Sequence, residues 1–211
     1  MKLISLFVLG VMAVAMSASA QAQTADPRLA QERNLRHGAM SASAQAQTTD
    51  PIAKAMLAAP NEALAKEATV VKWNSDFTYE VLRQGTGRMV CYDLTGWPGE
   101  RPWSVECTSS EANLPRIAQN RKFAAMAGGD EKKLEELVAA AAKDGTRVLS
   151  EVGSMWYNFR GNDEATATRH TVIAMPNIRG SEIGLPEVSD SGGIWLMQAG
   201  TPEAHIMLPG R

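Results

Sequence analysis

The stretch LPRIAQNRKFAAMAGGDEKKLEELVAAAAKD, residues 114–144, decides the fold class, because it predicts two helices in the middle of the chain. The first predicted helix spans residues 114–127. The second spans residues 130–144, with Asp130 as its N-cap and Gly145 directly after its last turn. Apolar residues on the second helix follow helical spacing: Leu134, Leu137, Val138 and Ala141. A Gly-Gly pair separates the helices, so we expect a helical hairpin.

Short segments rich in β-branched and aromatic residues lie on both sides of this hairpin, which is typical of strands. Before it come ATVVKW (68–73), TYEVLRQ (78–84) and MVCYDL (89–94). After it come SMWYNF (154–159), HTVIAMP (170–176), GIWLMQ (193–198) and HIMLP (205–209). Strands, then helices, then strands predict an α+β fold, a single domain over residues 68–211 with antiparallel strands and a central helical hairpin. Short turns separate the first three strands, so we expect them to form an antiparallel meander.

The N-terminus is typical of a secretory signal peptide over residues 1–20. Lys2 precedes an uncharged apolar run at residues 3–16, and small residues of the A-x-A type end at Ala20. The run is short for a bilayer span, which needs ~20 residues. A buried N-terminal helix is the alternative interpretation. We expect a cleaved signal, a periplasmic or secreted protein, and no transmembrane segment in the mature chain.

Residues 21–50 are predicted to be a flexible, disordered leader. AMSASAQAQT stands at residues 15–24 and again at 39–48, and such Ala/Ser/Gln tracts bury little apolar surface. The repeat is either a local duplication that lengthened the leader, or a tandem binding motif or second processing site. Residues 51–67 are predicted to be a helical arm, interrupted at Pro60.

Charge and motif content exclude several classes of function. The chain has 211 residues, with 21 Lys and Arg against 23 Asp and Glu, so it is not a strongly basic nucleic-acid binder. It lacks the P-loop, Rossmann, zincin and nucleophile-elbow motifs, which argues against a nucleotide enzyme, a zincin or an ordinary α/β-hydrolase. The string Asp190-Ser191-Gly192-Gly193 is similar to the serine motif of chymotrypsin-like proteases, but the sequence lacks that family's early His beside a Cys.

The chain has two cysteines, Cys91 and Cys107. In an oxidising compartment an even count predicts a disulfide between them. A redox or metal-binding pair is the alternative, although the spacing is not C-x-x-C.

The C-terminal block GGIWLMQAGTPEAHIMLP, residues 192–209, resembles the end of a family of uncharacterised bacterial secreted or periplasmic proteins, which carries a G-T-P-x-A-H-[LI]-M-x-P block. VLRQGTGRMVC and RHTVIAMPN resemble two further segments of that family more loosely. Arg169 stands where the family pattern has Pro, and the Trp before Cys91 is missing. The resemblance implies a secreted single domain in which Cys91, His170 and His205 fall on recurring positions.

Two histidines are the strongest candidates for a site. His170 and His205 each begin an apolar run, so neighbouring strands would bring both imidazoles to one end of a sheet. Imidazole suits acid–base chemistry or metal binding. Met207 shares a strand face with His205, and Met175 and Met197 are nearby, which makes copper or zinc the candidate metal. The candidate acids in the surrounding sequence are Glu182, Glu187, Asp190 and Glu203. The opposing interpretation is that the Met side chains fill the core.

A loop with Trp97 and Trp103 is the second candidate, as a ligand-binding surface. Packing of both rings over the disulfide is the alternative. Two hypotheses follow. One is a non-catalytic binding or envelope-associated domain without a cofactor, and the other is a small metalloprotein or enzyme with its site at His170 and His205.

Overall fold

A computed structural model describes residues 47–189 and 192–208. The predicted signal peptide and most of the predicted leader lie outside the described residues. So do the whole first copy of the repeat and all of the second copy except its last two residues, 47 and 48. So do Asp190 and Ser191 of the protease-like string.

Five α-helices are present in the described ranges, and two of them form the predicted hairpin. The helices are α1 (Pro51–Met56), α2 (Glu62–Glu67), α3 (Leu114–Ala127), α4 (Glu131–Asp144) and α5 (Gly180–Ile183), with a 3₁₀ turn at Glu111–Asn113. Asp130 caps α4 by accepting a hydrogen bond from the Lys133 backbone N–H. Gly128 and Gly145 end α3 and α4 in the left-handed conformation, which glycine adopts without steric cost.

Within the described residues, eight strands form one sheet in the order β2-β1-β3-β4-β5-β6-β8-β7. Their bounds are Thr69–Trp73 (β1), Tyr79–Arg83 (β2), Val90–Asp93 (β3), Trp103–Thr108 (β4), Met155–Gly161 (β5), Thr168–Ala174 (β6), Trp195–Met197 (β7) and His205–Leu208 (β8). All pairs are antiparallel except β1 and β3. The α+β class and the central helical hairpin are confirmed.

The predicted meander of the first three strands is wrong, because β3 pairs with β1 in parallel on the side opposite β2. The connection from β2 therefore crosses the beginning of β1. It passes so close that a Cβ at Gly85 would lie 2.2 Å from the Glu67 carbonyl oxygen, and the Gly87 N–H donates to that same oxygen at 2.9 Å. The Gly-rich segment is thus a close crossing between chain segments instead of a hairpin turn.

The sheet is covered on two faces. On the first, called here the α1 face, Ala55 packs against Val70, Val105 and the two cysteines. On the second, the α3 face, Ile117 packs against strand side chains that include Val71, Tyr92 and Trp156. The segment predicted as a separate helical arm is thus part of the core, with Ala55 only 1% exposed.

The two cysteines stand directly opposite each other on β3 and β4. Their sulfur atoms are 2.04 Å apart, which confirms the predicted disulfide. It links two central strands within the apolar core of the α1 face. No helix in the described part of the chain combines the length and the apolar character needed to cross a bilayer.

Candidate functional site

A row of four polar side chains crosses the middle of the sheet on its α3 face. Tyr92 on β3 is paired with Glu106 on β4, Glu106 with Asn158 on β5, and Asn158 with His170 on β6. Side chains of directly opposed residues share a face, with Cβ atoms ~5 Å apart. We call this set the polar row. Tyr92 is 0% exposed and Asn158 is 5% exposed, so the polar row places hydrogen-bonding groups inside the core of the α3 face.

Glu106 is the central group of the polar row. Its side chain is 13% exposed, and the Tyr92 hydroxyl donates a hydrogen bond to its carboxyl group. Burial raises the pKa of Glu106 from 4.5 to about 7, although the nearby Arg160 guanidinium opposes this effect. Burial and the neighbouring Glu106 also raise the pKa of Tyr92. Glu106 therefore exchanges its proton near neutral pH, where a general acid or base is most effective.

Arg160 lies beside the polar row and keeps part of its guanidinium in solvent. It donates to the Asn158 side-chain oxygen. Its nitrogens are 4.0 Å from a Glu100 oxygen and 3.9 Å from a Glu106 oxygen, at the outer limit of an ion pair. Arg160 is 39% exposed, so donors remain for a ligand.

An open groove on the α3 face, here called the sheet groove, has a volume of about 900 Å³. Its polar and charged lining residues are Arg101, Asn158, Arg160, Asn162, Thr166, Thr168, Arg169, His170 and His205. The apolar contribution comes from Val172, Met197 and Met207. No carboxylate is among the described residues that line it. The guanidinium of Arg169 stacks at 4.7 Å on Phe159, whose side chain packs on the α1 face, so Arg160 is the best-placed arginine in this part of the groove.

The structure brings both predicted histidines to the sheet groove. His170 is opposite Asn158, and His205 is opposite Ala174, so the register separates the histidines by four positions, roughly 13 Å along the strands. Burial lowers the pKa of His170 below its usual value, and the Coulomb interactions with Arg160 and His205 act in the same direction. The Nδ1 atom of His205 lies 2.7 Å from the Glu203 carbonyl oxygen. That hydrogen bond places the proton on Nδ1 and leaves Nε2 as the acceptor or ligand nitrogen.

The predicted metal ligands are only partly grouped. His205 and Met207 lie on one strand face and both line the groove, as does Met197, while Met175 does not. Within residues 47–189 and 192–208, no cluster of three or more His, Cys, Asp or Glu side chains has the geometry to hold a metal ion. A site at His170, His205 and Met207 stays a prediction.

Three of the four candidate acids, Glu182, Glu187 and Glu203, have structural roles instead of groove positions, and Asp190 lies outside the described residues. Glu203 forms ion pairs with the buried guanidinium groups of Arg116 and Arg147. Burial lowers the pKa of Arg116 to about 10. Glu182 accepts from the Arg179 N–H at 2.7 Å, and Glu187 accepts from the Gly180 N–H at 2.7 Å. By fixing Glu203, the two arginines also hold the turn whose carbonyl orients His205.

The two loop tryptophans are separated by the sheet. Trp97 lies on the α3 face, where the Arg121 guanidinium stands 3.3 Å from its ring centroid. Trp103 is 3% exposed and contacts Lys54 of α1, whose ammonium nitrogen is 4.6 Å from the ring centroid. They do not form one binding surface, and Trp97 packs on Arg121 instead of the disulfide.

Sequence reasoning missed Tyr92, Glu106, Asn158 and Arg160. The available signal was the alternation in WSVECT, residues 103–108, where apolar and polar residues change places at every step. This segment is β4, a central strand that was not predicted. Its polar positions face α3 and not solvent, so the alternation marks a site instead of an exposed surface.

The C-terminal block that carries the family resemblance forms β7, a turn and β8, and it delivers His205 to the groove. Of the other recurring positions, His170 lines the same groove and Cys91 is in the disulfide. No family model, no curated protein and no solved structure matches the chain. The family resemblance stays a prediction, and the function is argued from the site alone.

Proposed function

We propose that this protein is a secreted or periplasmic binding protein whose sheet groove takes a small organic anion. The observation that carries the proposal is the charge of the lining. Arg101, Arg160 and two histidines face one groove, and none of its described lining residues is a carboxylate. A volume of about 900 Å³ is within the range of small-molecule sites.

The distribution of polar and apolar groups defines the class of ligand. Arg160, His170 and the Asn158 amide supply donors toward the β5 and β6 strands. Met197 and Met207 supply a polarisable apolar surface at the β7 and β8 strands. A ligand with an anionic head and a short apolar body satisfies both parts. The predicted signal peptide and the disulfide support an extracytoplasmic location.

Calorimetric titration of the mature protein tests this proposal. The probes are straight-chain carboxylates of four to eight carbons, their neutral amides, and an alkyl phosphate. We expect an anion to bind and its amide to bind at least tenfold more weakly, because hydrogen bonds to charged groups contribute about 1.5–3 kcal/mol. Arg160→Met and the double variant His170→Ala/His205→Ala should each bind the anion at least tenfold more weakly than the wild type does.

Lys132→Ala is the matched control for loss of positive charge. Lys132 is on α4, its side chain is 86% exposed, and it does not line the groove. Equal loss of affinity in Lys132→Ala and Arg160→Met would point to a long-range charge effect and refute the site. Failure of every anion to bind would refute the proposed function.

The alternative proposal is a small metalloprotein or enzyme centred on His170 and His205. Its support is that Glu106, with a pKa of about 7, stands in the same row as His170. Elemental analysis of protein secreted natively and purified without chelators or a His tag tests the metal. Near-stoichiometric copper or zinc that disappears in His170→Ala/His205→Ala would establish it, whereas metal retained by that variant would exclude these ligands.

A further inference from the structure

Arg121 on α3 is a buried guanidinium with no hydrogen-bond partner in the described part of the chain. The residue is 3% exposed, and Nε and both terminal nitrogens are buried and unpaired. Its guanidinium carbon lies 3.3 Å from the ring centroid of Trp97 and 5.4 Å from that of Trp73. Burial lowers the pKa of Arg121 to about 10, so it stays charged at neutral pH. Buried charges are normally paired and hydrogen-bonded, so the unpaired donors of Arg121 can bind an acceptor in this site.

The guanidinium lines a small cavity under the Trp97 loop, separate from the sheet groove. The cavity has a volume of about 130 Å³, and its other polar groups are Tyr92, Glu100, Glu106 and Asn120. That volume equals about four water molecules at ~30 Å³ each. A two-carbon carboxylate has the same number of heavy atoms. A carboxylate accepts two parallel hydrogen bonds from one guanidinium, which matches the donors that Arg121 leaves unused.

The charges around Glu106 indicate in which protonation state of Glu106 an anion can bind. Two guanidinium groups, Arg121 and Arg160, face two carboxyl groups, Glu100 and Glu106, so the four groups balance when both acids are ionised. Once Glu106 is protonated, one positive charge is in excess and an added carboxylate restores the balance. Tyr92 donates to Oε1 of Glu106, which leaves Oε2 to carry the proton.

The remaining charged or titratable groups near Glu106 lie across a second cavity of about 160 Å³. They are Arg116, Glu203 and His205, and Arg147 completes the ion-pair cluster of Glu203. On the side of Arg121, Asp93 is already paired with Lys54 at 2.6 Å. These groups add positive charge and therefore favour an anion in the site.

We propose that Arg121 and protonated Glu106 hold the carboxylate of a small ligand in this cavity, so that the ligand and one proton bind together. The guanidinium donates two N–H bonds to the ligand, and Glu106 donates its O–H to the same carboxylate. This goes beyond the anion site of the sheet groove, because Arg121 does not line that groove and the occupant is smaller.

Calorimetry with formate, acetate and propionate, and with acetamide as the neutral isostere of acetate, tests the proposal on the mature, disulfide-bonded chain. Binding that requires protonated Glu106 is about tenfold weaker at pH 8 than at pH 6, since the pKa of the free site is about 7. Titrations in two buffers of different ionisation enthalpy should show close to one proton taken up per acetate at pH 8. Little uptake is expected at pH 6.

Three variants identify the groups. Arg121→Lys keeps the positive charge but loses the planar guanidinium with its paired N–H donors, so it should bind acetate at least tenfold more weakly. Glu106→Gln keeps a donor that does not titrate, so acetate should bind with no pH dependence between 6 and 8. Lys122→Gln removes one exposed charge at the next position of α3 and should change nothing.

Several results would overturn the proposal. If the wild type does not bind acetate, the cavity holds water alone and the proposal is wrong. Equal affinity for acetate and acetamide would also refute it, as would an unchanged affinity of Arg121→Lys for acetate. If His170→Ala/His205→Ala abolishes acetate binding, the acetate occupies the sheet groove and the second site is wrong. If that variant still takes up acetate and a proton, the second site stands even where the groove proposal fails.

Discussion

Replacing Glu106 with Gln should stabilise the protein in a pH-dependent way. The carboxyl group has an ordinary pKa of 4.5 and a pKa of about 7 in the folded protein. Folding therefore favours its protonated form, so its contribution to stability is fully present below pH 4.5 and is lost as the pH rises through 7. The difference between these two pKa values corresponds to about 3 kcal/mol. Gln keeps the shape and the acceptor for Tyr92 without this cost.

Urea unfolding at pH 5, 6, 7 and 8, followed by circular dichroism with the disulfide intact, measures the effect. We expect Glu106→Gln to exceed the wild type by about 3 kcal/mol at pH 8 and by less than about 1 kcal/mol at pH 5. Glu135→Gln, at an exposed position of α4, controls for the change in net charge. A stability difference that does not change with pH, or one that grows toward low pH, would refute the assignment of the raised pKa to burial of Glu106.

The other two predictions concern covalent and ionic links that support the site. Glu203→Ala leaves Arg116 and Arg147 buried without a carboxylate, so we expect a loss of about 3–5 kcal/mol in urea unfolding. An unchanged midpoint would show that water satisfies both arginines. The double variant Cys91→Ser/Cys107→Ser removes a cross-link over 16 positions and should cost about 3 kcal/mol. Reductant should lower the free energy of unfolding of the wild type by the same amount and should not change that of the variant. Any other pattern would mean that the two sulfur atoms are not bonded in solution.

The hairpin and most strands were predictable because their signals are local. Helical spacing, Asp130 as a cap and Gly145 as a terminator act within a few residues of each other. The strand pairing was not predictable in the same way. Whether β3 lies beside β2 or beyond β1 depends on the close crossing of Gly85 over Glu67, a contact between distant chain segments.

The histidines illustrate the limit for the site. His170 and His205 were predicted as site residues because each one begins an apolar run in the sequence. Their common groove follows from the pairing of β6 with β8, whereas their separation of four positions follows from the register. A sequence pattern gives neighbours along the chain, and register gives neighbours across the sheet.

Glu106 was missed for a physical reason that also explains its importance. A strand with one apolar face and one polar face normally has water on the polar side, and no strand was predicted over residues 103–108. In the structure the polar side lies against α3 and the polar row. A carboxyl group at this position lowers the free energy of unfolding by about 3 kcal/mol near pH 8, whereas an apolar or amide side chain would not. Natural proteins accept such local conflicts chiefly at functional sites, and the unpaired Arg121 guanidinium beside Glu106 is a second conflict in the same place. The raised pKa of Glu106 and the unpaired donors of Arg121 have complementary requirements, and the carboxylate that we propose to bind between them satisfies both.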